Sequence, residues 1–130
     1  MSEIIIVAET GSDVSAAEAA ELGIELVPMH VSIGDRTIDD GALDPAEMLE
    51  ECRVLPKTSG CTPGDFAKVF DRIHAEHPEA QILYIAYSAV TTCSYESART
   101  AAEGRDYIDM FDTAHVTIGQ GFVVTGAAHY

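Results

Sequence analysis

The chain opens on a continuous apolar run, Ile4-Ile5-Ile6-Val7-Ala8, short enough for a strand covered on both faces. Residues 12–23 follow as an expected helix. Ser15-Ala16-Ala17-Glu18 forms a capping-box pattern there, and Gly23 supplies a stop. Residues 24–33 alternate, with Val27, Met29, Val31 and Ile33 on one side, which predicts a strand. Pro28 keeps that strand away from a fully paired centre. Asp39-Asp40-Gly41 reads as a turn and Asp44-Pro45-Ala46-Glu47 as a capped helix start, with Met48, Leu49 and Cys52 on one face. Phe66, Val69, Phe70 and Ile73 recur at helical spacing until Pro78 ends the pattern. Residues 82–87 form a second buried run, and 92–103 a helix with a small-residue face of Ala98, Ala101 and Ala102. Residues 108–111 predict a last short strand, and Gly119-Gln120-Gly121 opens a final helix through Phe122, Val123 and Val124.

Alternating buried strands and helices predict an α/β chain: three layers, α/β/α, around a mostly parallel sheet of about five strands. In such sheets ligands bind beyond the carboxyl ends of the strands. Two hydroxyl-rich junctions fall at that edge. In Lys57-Thr58-Ser59-Gly60-Cys61-Thr62-Pro63-Gly64-Asp65, Thr62 suits an N-cap, Pro63 the first helical position, and Asp65 the answering carboxylate of a capping box. Ser88-Ala89-Val90-Thr91-Thr92-Cys93-Ser94-Tyr95 is the second junction. Unpaired N–H groups and the helix dipole favour an anion at such places, so Thr62 and Thr92 are the leading ligand contacts. Ser59, Ser88, Cys93 and Ser94 are secondary candidates. An ordinary capping role explains Thr62 equally well, and the two roles are compatible.

Composition narrows the partners. The chain has 130 residues, the size of one domain, and carries 22 acidic against 7 basic side chains, a formal charge of −15. That field repels nucleic acid and anionic lipid surfaces, and a solvated acidic surface accounts for it. No apolar stretch is long enough to span a membrane, which argues against stable insertion. Cys52, Cys61 and Cys93 are widely spaced without a CxxC pair, as expected of free thiols in a reducing cytoplasm. The chain stops at Tyr130, inside its last expected helix, and so reads as the first part of a longer protein.

Five motifs in order resemble the DegV family of bacterial fatty-acid-binding proteins, which includes the acyl-carrying subunit of fatty acid kinase. Ile24-Glu25-Leu26-Val27-Pro28-Met29 is similar to "I-x-V-V-P-L", and Asp40-Gly41 to "D-G". Leu55 through Phe66 resembles "L-P-K-T-S-Q-P-S/T-P-x-x-F", and Ser88 through Ala98 "S-S-x-L-S-G-T-Y-Q-S-A". Asp112-Thr113, Gly119-Gln120-Gly121 and Ala127-Ala128 resemble "D-S … G-x-G … A-A". The departures include Ala89, Thr91 and Cys93, the last standing where the pattern has glycine. The resemblance implies that residues 1–130 are the N-terminal α/β domain of a two-domain fold. It further implies a long-chain fatty acid held by its carboxylate at Thr62 and Thr92, and presentation of that acid to a partner kinase. It implies neither a cofactor nor an enzyme.

Two other functional classes fit parts of the sequence. An interaction or oligomerisation module, such as a homodimer, would use an exposed apolar face without ligand. An enzyme would act through Cys93, or through a metal held by Cys61, Cys93 and His30, but that loose spacing is a weak ligand pattern. Gly119-Gln120-Gly121 lacks the third glycine of a dinucleotide fingerprint.

Overall fold

In the computed structural model, which describes residues 3–130, four parallel strands form the central sheet, in the order β2-β1-β6-β7. These are β1 (Ile4–Glu9), β2 (Glu25–Val27), β6 (Gln81–Ala86) and β7 (Ile108–Asp112). Pairings such as Ile5 with Ile82 and Tyr84 with Met110 set the register. Side chains alternate across it. Ile5, Val7, Ile82 and Tyr84 face one layer, Ala8 and Ile85 the other, as the two-residue period of a strand requires.

The first layer is α3 (Pro63–Glu76) and α4 (Ser94–Ala102). Phe66, Val69, Phe70 and Ile73 of α3 are all buried there, and Phe66 meets the Tyr84 ring edge-on at 5.0 Å. Each such side chain contributes roughly 1.5–3 kcal/mol of burial. The opposite layer is α1 (Ala16–Leu22) and α5 (Thr117–His129), which bury Ala19 and Val124 against Ala8 and Ile85. The α/β/α expectation holds, with four strands in the sheet rather than five.

The difference arises at Pro28. The expected strand over 24–33 splits into β2 and β3 (His30–Ile33), because Pro28 has no N–H to continue a ladder. Met29 then leaves the sheet: its N–H donates to Thr10 Oγ1 at 3.0 Å, and its carbonyl accepts from the Asp40 N–H at 2.7 Å. β3 joins a separate antiparallel sheet between β4 (Arg36–Asp39) and β5 (Lys57–Ser59). A two-residue turn, Gly34-Asp35, links β3 to β4, with Gly34 at φ 61° as a glycine-led hairpin turn demands.

Three helix starts also differ from expectation. α1 begins at Ala16, after a 3-10 turn at Thr10–Ser12, with Ser15 Oγ accepting the Glu18 N–H. α4 begins at Ser94, so Cys93 rather than Thr92 is its N-cap. α5 begins at Thr117, two residues before Gly119. The glycines there serve packing, since a Cβ on Gly121 would collide with the Ser12 carbonyl. α2 (Pro45–Glu51) starts at Asp44 as expected, with Asp44 Oδ1 accepting the Ala46 N–H at 2.8 Å.

Candidate functional site

Because the four central strands run parallel, their carboxyl ends share one rim. α3 leads into the start of β6, so its own N-terminus, with Thr62, lies at that same rim. The loop after β6 carries residues 88–93 there as well. A direct bond joins the two junctions: the Cys61 N–H donates to Ser94 Oγ at 3.0 Å, with both residues fully buried.

Thr62 caps α3 as its residue type dictates. Its Oγ1 accepts the Asp65 N–H at 3.2 Å, and Asp65 Oδ2 accepts the Thr62 N–H at 2.7 Å, completing the capping box. Accepting that N–H leaves the threonine hydroxyl hydrogen to donate elsewhere. Thr92 is half-buried, and its Oγ1 lies 3.4 Å from Ser94 Oγ. A cavity of about 200 Å³ opens between the loops, lined by the hydroxyl-bearing Thr58, Ser59, Thr91 and Thr92 together with Met29 and Tyr87. Thr62 stands outside that lining, exposed at the helix start. Ser94 is a latch between the loops. Ser88 is buried, its N–H donating to the His115 carbonyl and its carbonyl accepting from Thr91 N–H and Oγ1. Cys93 is exposed and caps nothing with its side chain.

A second cavity of about 210 Å³ shares Met29, Thr58 and Tyr87 with the first and adds Asp13, His30 and Asp40. His30 is spanned by carboxylates, Nδ1 3.0 Å from Asp39 and Nε2 2.6 Å from Asp65. The Asp65 hydrogen bond raises the His30 pKa against the opposing effect of burial. Burial works against the charge on Asp65, but bonds from the Thr62 N–H and His30 outweigh it and hold the carboxyl below its usual range. One imidazolium between two carboxylates, with Asp13 and Asp40 nearby, disfavours an anion there. The hydroxyl-lined cavity has no carboxylate in its lining, and is the better home for one.

Sequence reasoning missed Glu9 and Gln120. Glu9 ends β1 fully buried; both its oxygens lie 3.3 Å from the Tyr87 N–H, and Gln120 Nε2 donates to Oε1 at 3.0 Å. Gln120 also donates to the Ile85 carbonyl, tying α5 to β6. Burial raises the Glu9 pKa, partly offset by these donors and by Tyr84. The Tyr84 hydroxyl is close enough to influence that titration yet outside hydrogen-bond geometry, and it is buried without a partner. A buried acid has no local sequence signature. The available signal was its place as the last residue of an otherwise apolar strand.

Cys61 and His30, two of the residues considered for a metal, are engaged by other groups. Cys61 is fully buried, its Sγ donating to the Pro28 carbonyl at 3.2 Å, and burial pushes its thiol pKa up, away from a reactive thiolate. Its expected metal companion, His30, is committed to Asp39 and Asp65. Among the described residues no group of three or more His, Cys, Asp or Glu is arranged to hold a metal ion.

Comparison with known proteins gives a consistent result. The family model described as uncharacterised proteins of the DegV family matches residues 3–130. A DegV domain-containing protein of Deinococcus radiodurans is 32% identical over 132 residues, covering 96% of this chain and 46% of the relative. Among solved structures, a DegV family protein of Thermus thermophilus described by its fatty acid binding superposes with a TM-score of 0.85. It is 26% identical, and the match covers 98% of this chain and 46% of that one. A stearic acid-binding protein of Eubacterium ventriosum shares the fold, with a TM-score of 0.83 at 22% identity, over 99% of this chain and 47% of its own. The chain thus spans about half the length of the relatives it matches.

Proposed function

This chain belongs to the DegV family, and we propose that it binds a long-chain fatty acid by its carboxylate, as a carrier rather than an enzyme. The observation that carries the reading is the hydroxyl-lined cavity between the two bonded loops, at the rim where α/β sheets take ligands. The fatty-acid binding ascribed to the Thermus thermophilus relative supports it. Thr92 and Ser59 meet the carboxylate from the cavity wall, and Thr62, outside that lining, contributes from the start of α3 by capping the helix and ordering the 58–62 loop.

A carboxylate fits a cavity of about 200 Å³, but an acyl tail does not. The tail instead runs over exposed apolar side chains of the loops that follow β6 and β7 at this rim, Val90 and Val116. Burying it is worth about 0.8 kcal/mol per methylene, on the order of 10 kcal/mol for a long chain before entropic costs. Head-group hydrogen bonds add about 1.5–3 kcal/mol each. Affinity therefore comes mainly from the tail and requires a second apolar wall, so residues 1–130 alone bind weakly. Presentation of the bound acid to a kinase rests on the family resemblance.

Mass spectrometry of an organic extract from the purified full-length protein tests the reading. Recovery of a stoichiometric fatty acid supports it, and a lipid-free protein that also takes up no added stearate contradicts it. A second reading has one observation in its favour: Ile4, Ile6, Leu22 and Ala127 line an open apolar cavity of about 540 Å³ at the opposite rim, a surface suited to self-association. Light scattering showing a stable dimer without lipid would favour that reading.

A further inference from the structure

Gly60 sits between Ser59, which lines the cavity, and Cys61, whose N–H is held by Ser94. A Cβ placed on Gly60 would stand 2.5 Å from Thr92 Oγ1, 2.7 Å from Ser94 Oγ and 3.2 Å from Cys93 Sγ. Three consecutive side chains of one loop thus pack on the α-carbon of the other. The demand for glycine is spatial, since Gly60 is not among the residues with positive φ. Nearby Gly64 shows no such crowding: the nearest atom to its Cβ position is 3.7 Å away.

We propose that Gly60 is a positioning residue of the head-group site, its bare α-carbon letting the 91–94 loop close and setting Thr92 Oγ1 at the cavity wall. The ligand in this statement rests on the fatty-acid reading above. A methyl at position 60 acts mainly on Thr92. Ser94 is fully buried, and turning its hydroxyl away breaks the 3.0 Å bond to the Cys61 N–H. Thr92 is half-buried and has only long contacts to Ser94 to lose, 3.4 Å to its Oγ and 3.5 Å from its N–H, so its hydroxyl is the one displaced.

A double-mutant cycle on the intact chain tests this, with sodium octanoate as the soluble probe and amide-shift titration as the readout. Gly60→Ala and Thr92→Ala are each expected to weaken octanoate binding about tenfold. Once Thr92 is alanine, Gly60→Ala is expected to cost less than twofold more. Wild-type affinity in G60A, or a full further tenfold loss in the T92A background, overturns the proposal. Should G60A be too unstable to titrate, melting temperatures complete the cycle: recovery in G60A/T92A supports the proposal, and no recovery overturns it. A wild-type chain without any octanoate-induced shift overturns the fatty-acid reading instead, while the melting cycle still decides whether Gly60 holds Thr92.

Discussion

His30 Nε2 stands 2.6 Å from Asp65 Oδ2, the same oxygen that accepts the Thr62 N–H at 2.7 Å. One carboxylate therefore joins the antiparallel sheet to the start of α3, beside a candidate ligand hydroxyl. The His30 pKa is raised, so its contribution is complete below the ordinary histidine value of about 6.5 and is lost as pH rises through the folded value. The Asp65 pKa is lowered, so its contribution is present above the ordinary aspartate value and is lost as pH falls through the folded one. The pair is strongest between those limits. His30→Gln should cost about 1–2 kcal/mol at pH 5 and distinctly less at pH 9, read by urea denaturation. Equal losses at both pH values would show that the imidazolium form is not what Asp65 holds.

Glu9 titrates in the opposite sense. Burial raises its folded pKa, so the folded state keeps its proton longer than the unfolded chain does. Stability falls as pH rises from the ordinary glutamate range through that raised value. Glu9→Gln removes this dependence while keeping a polar side chain of the same shape. Relative to wild type, the variant should gain stability steadily from pH 4 to neutrality; a difference that stays flat over that range contradicts the assignment.

The two candidate threonines should separate in their effects. Thr62→Ala deletes a helix cap and is expected to lower stability by about 1 kcal/mol as well as weakening ligand binding. Thr92→Val keeps the shape and removes a hydroxyl whose contacts to the start of α4 are long, 3.5 Å from the Ser94 N–H and 3.4 Å to Ser94 Oγ, so melting should change less than in Thr62→Ala. Its affinity loss corresponds to one hydrogen bond to a charged group, about 1.5–3 kcal/mol, or roughly ten- to a hundredfold. Thermal melts beside fatty-acid titrations of each variant distinguish the two roles.

Two glycines of α5 make a paired prediction. Gly121→Ala drives a methyl into the Ser12 carbonyl and should destabilise by about 1–3 kcal/mol. Gly126 is exposed with nothing near its Cβ position, so Gly126→Ala should stabilise by up to about 1 kcal/mol through helix propensity. Chemical denaturation of both variants checks the sign of each.

The legible parts of the sequence were those governed by local chemistry. The apolar runs of β1 and β6, the face of Phe66, Val69, Phe70 and Ile73, and the Thr62–Asp65 capping box each follow from spacing or residue type within a few positions. What escaped depends on distant partners. Pro28 signalled a weak place in a strand, but only the bonds from Met29 to Thr10 and Asp40 show the chain leaving one sheet for another. The strand expected over residues 24–33 stops at Ile33, just before the Gly34-Asp35 turn, and β4 beyond it carries a single apolar residue, Ile38, too weak a pattern to announce a hairpin. Glu9 and Gln120 lie 111 positions apart, and nothing local to either announces their bond. At the site, hydroxyl-rich junctions were visible in sequence, whereas the division of labour between Ser94 as latch and Thr92 as wall needed the packing around Gly60.

In the proposed function the hydroxyl-lined cavity, and no other part of the surface, receives a fatty acid's carboxylate. Titrating the ¹⁵N-labelled chain with octanoate, alongside the octyl alcohol that has the same tail without the charge, tests it most directly. The acid is expected to shift the amides of residues 58–62 and 91–94 together, and the alcohol to leave them largely unmoved. Shifts confined to the apolar cavity around Ile4 and Ala127, or identical responses to acid and alcohol, would contradict it.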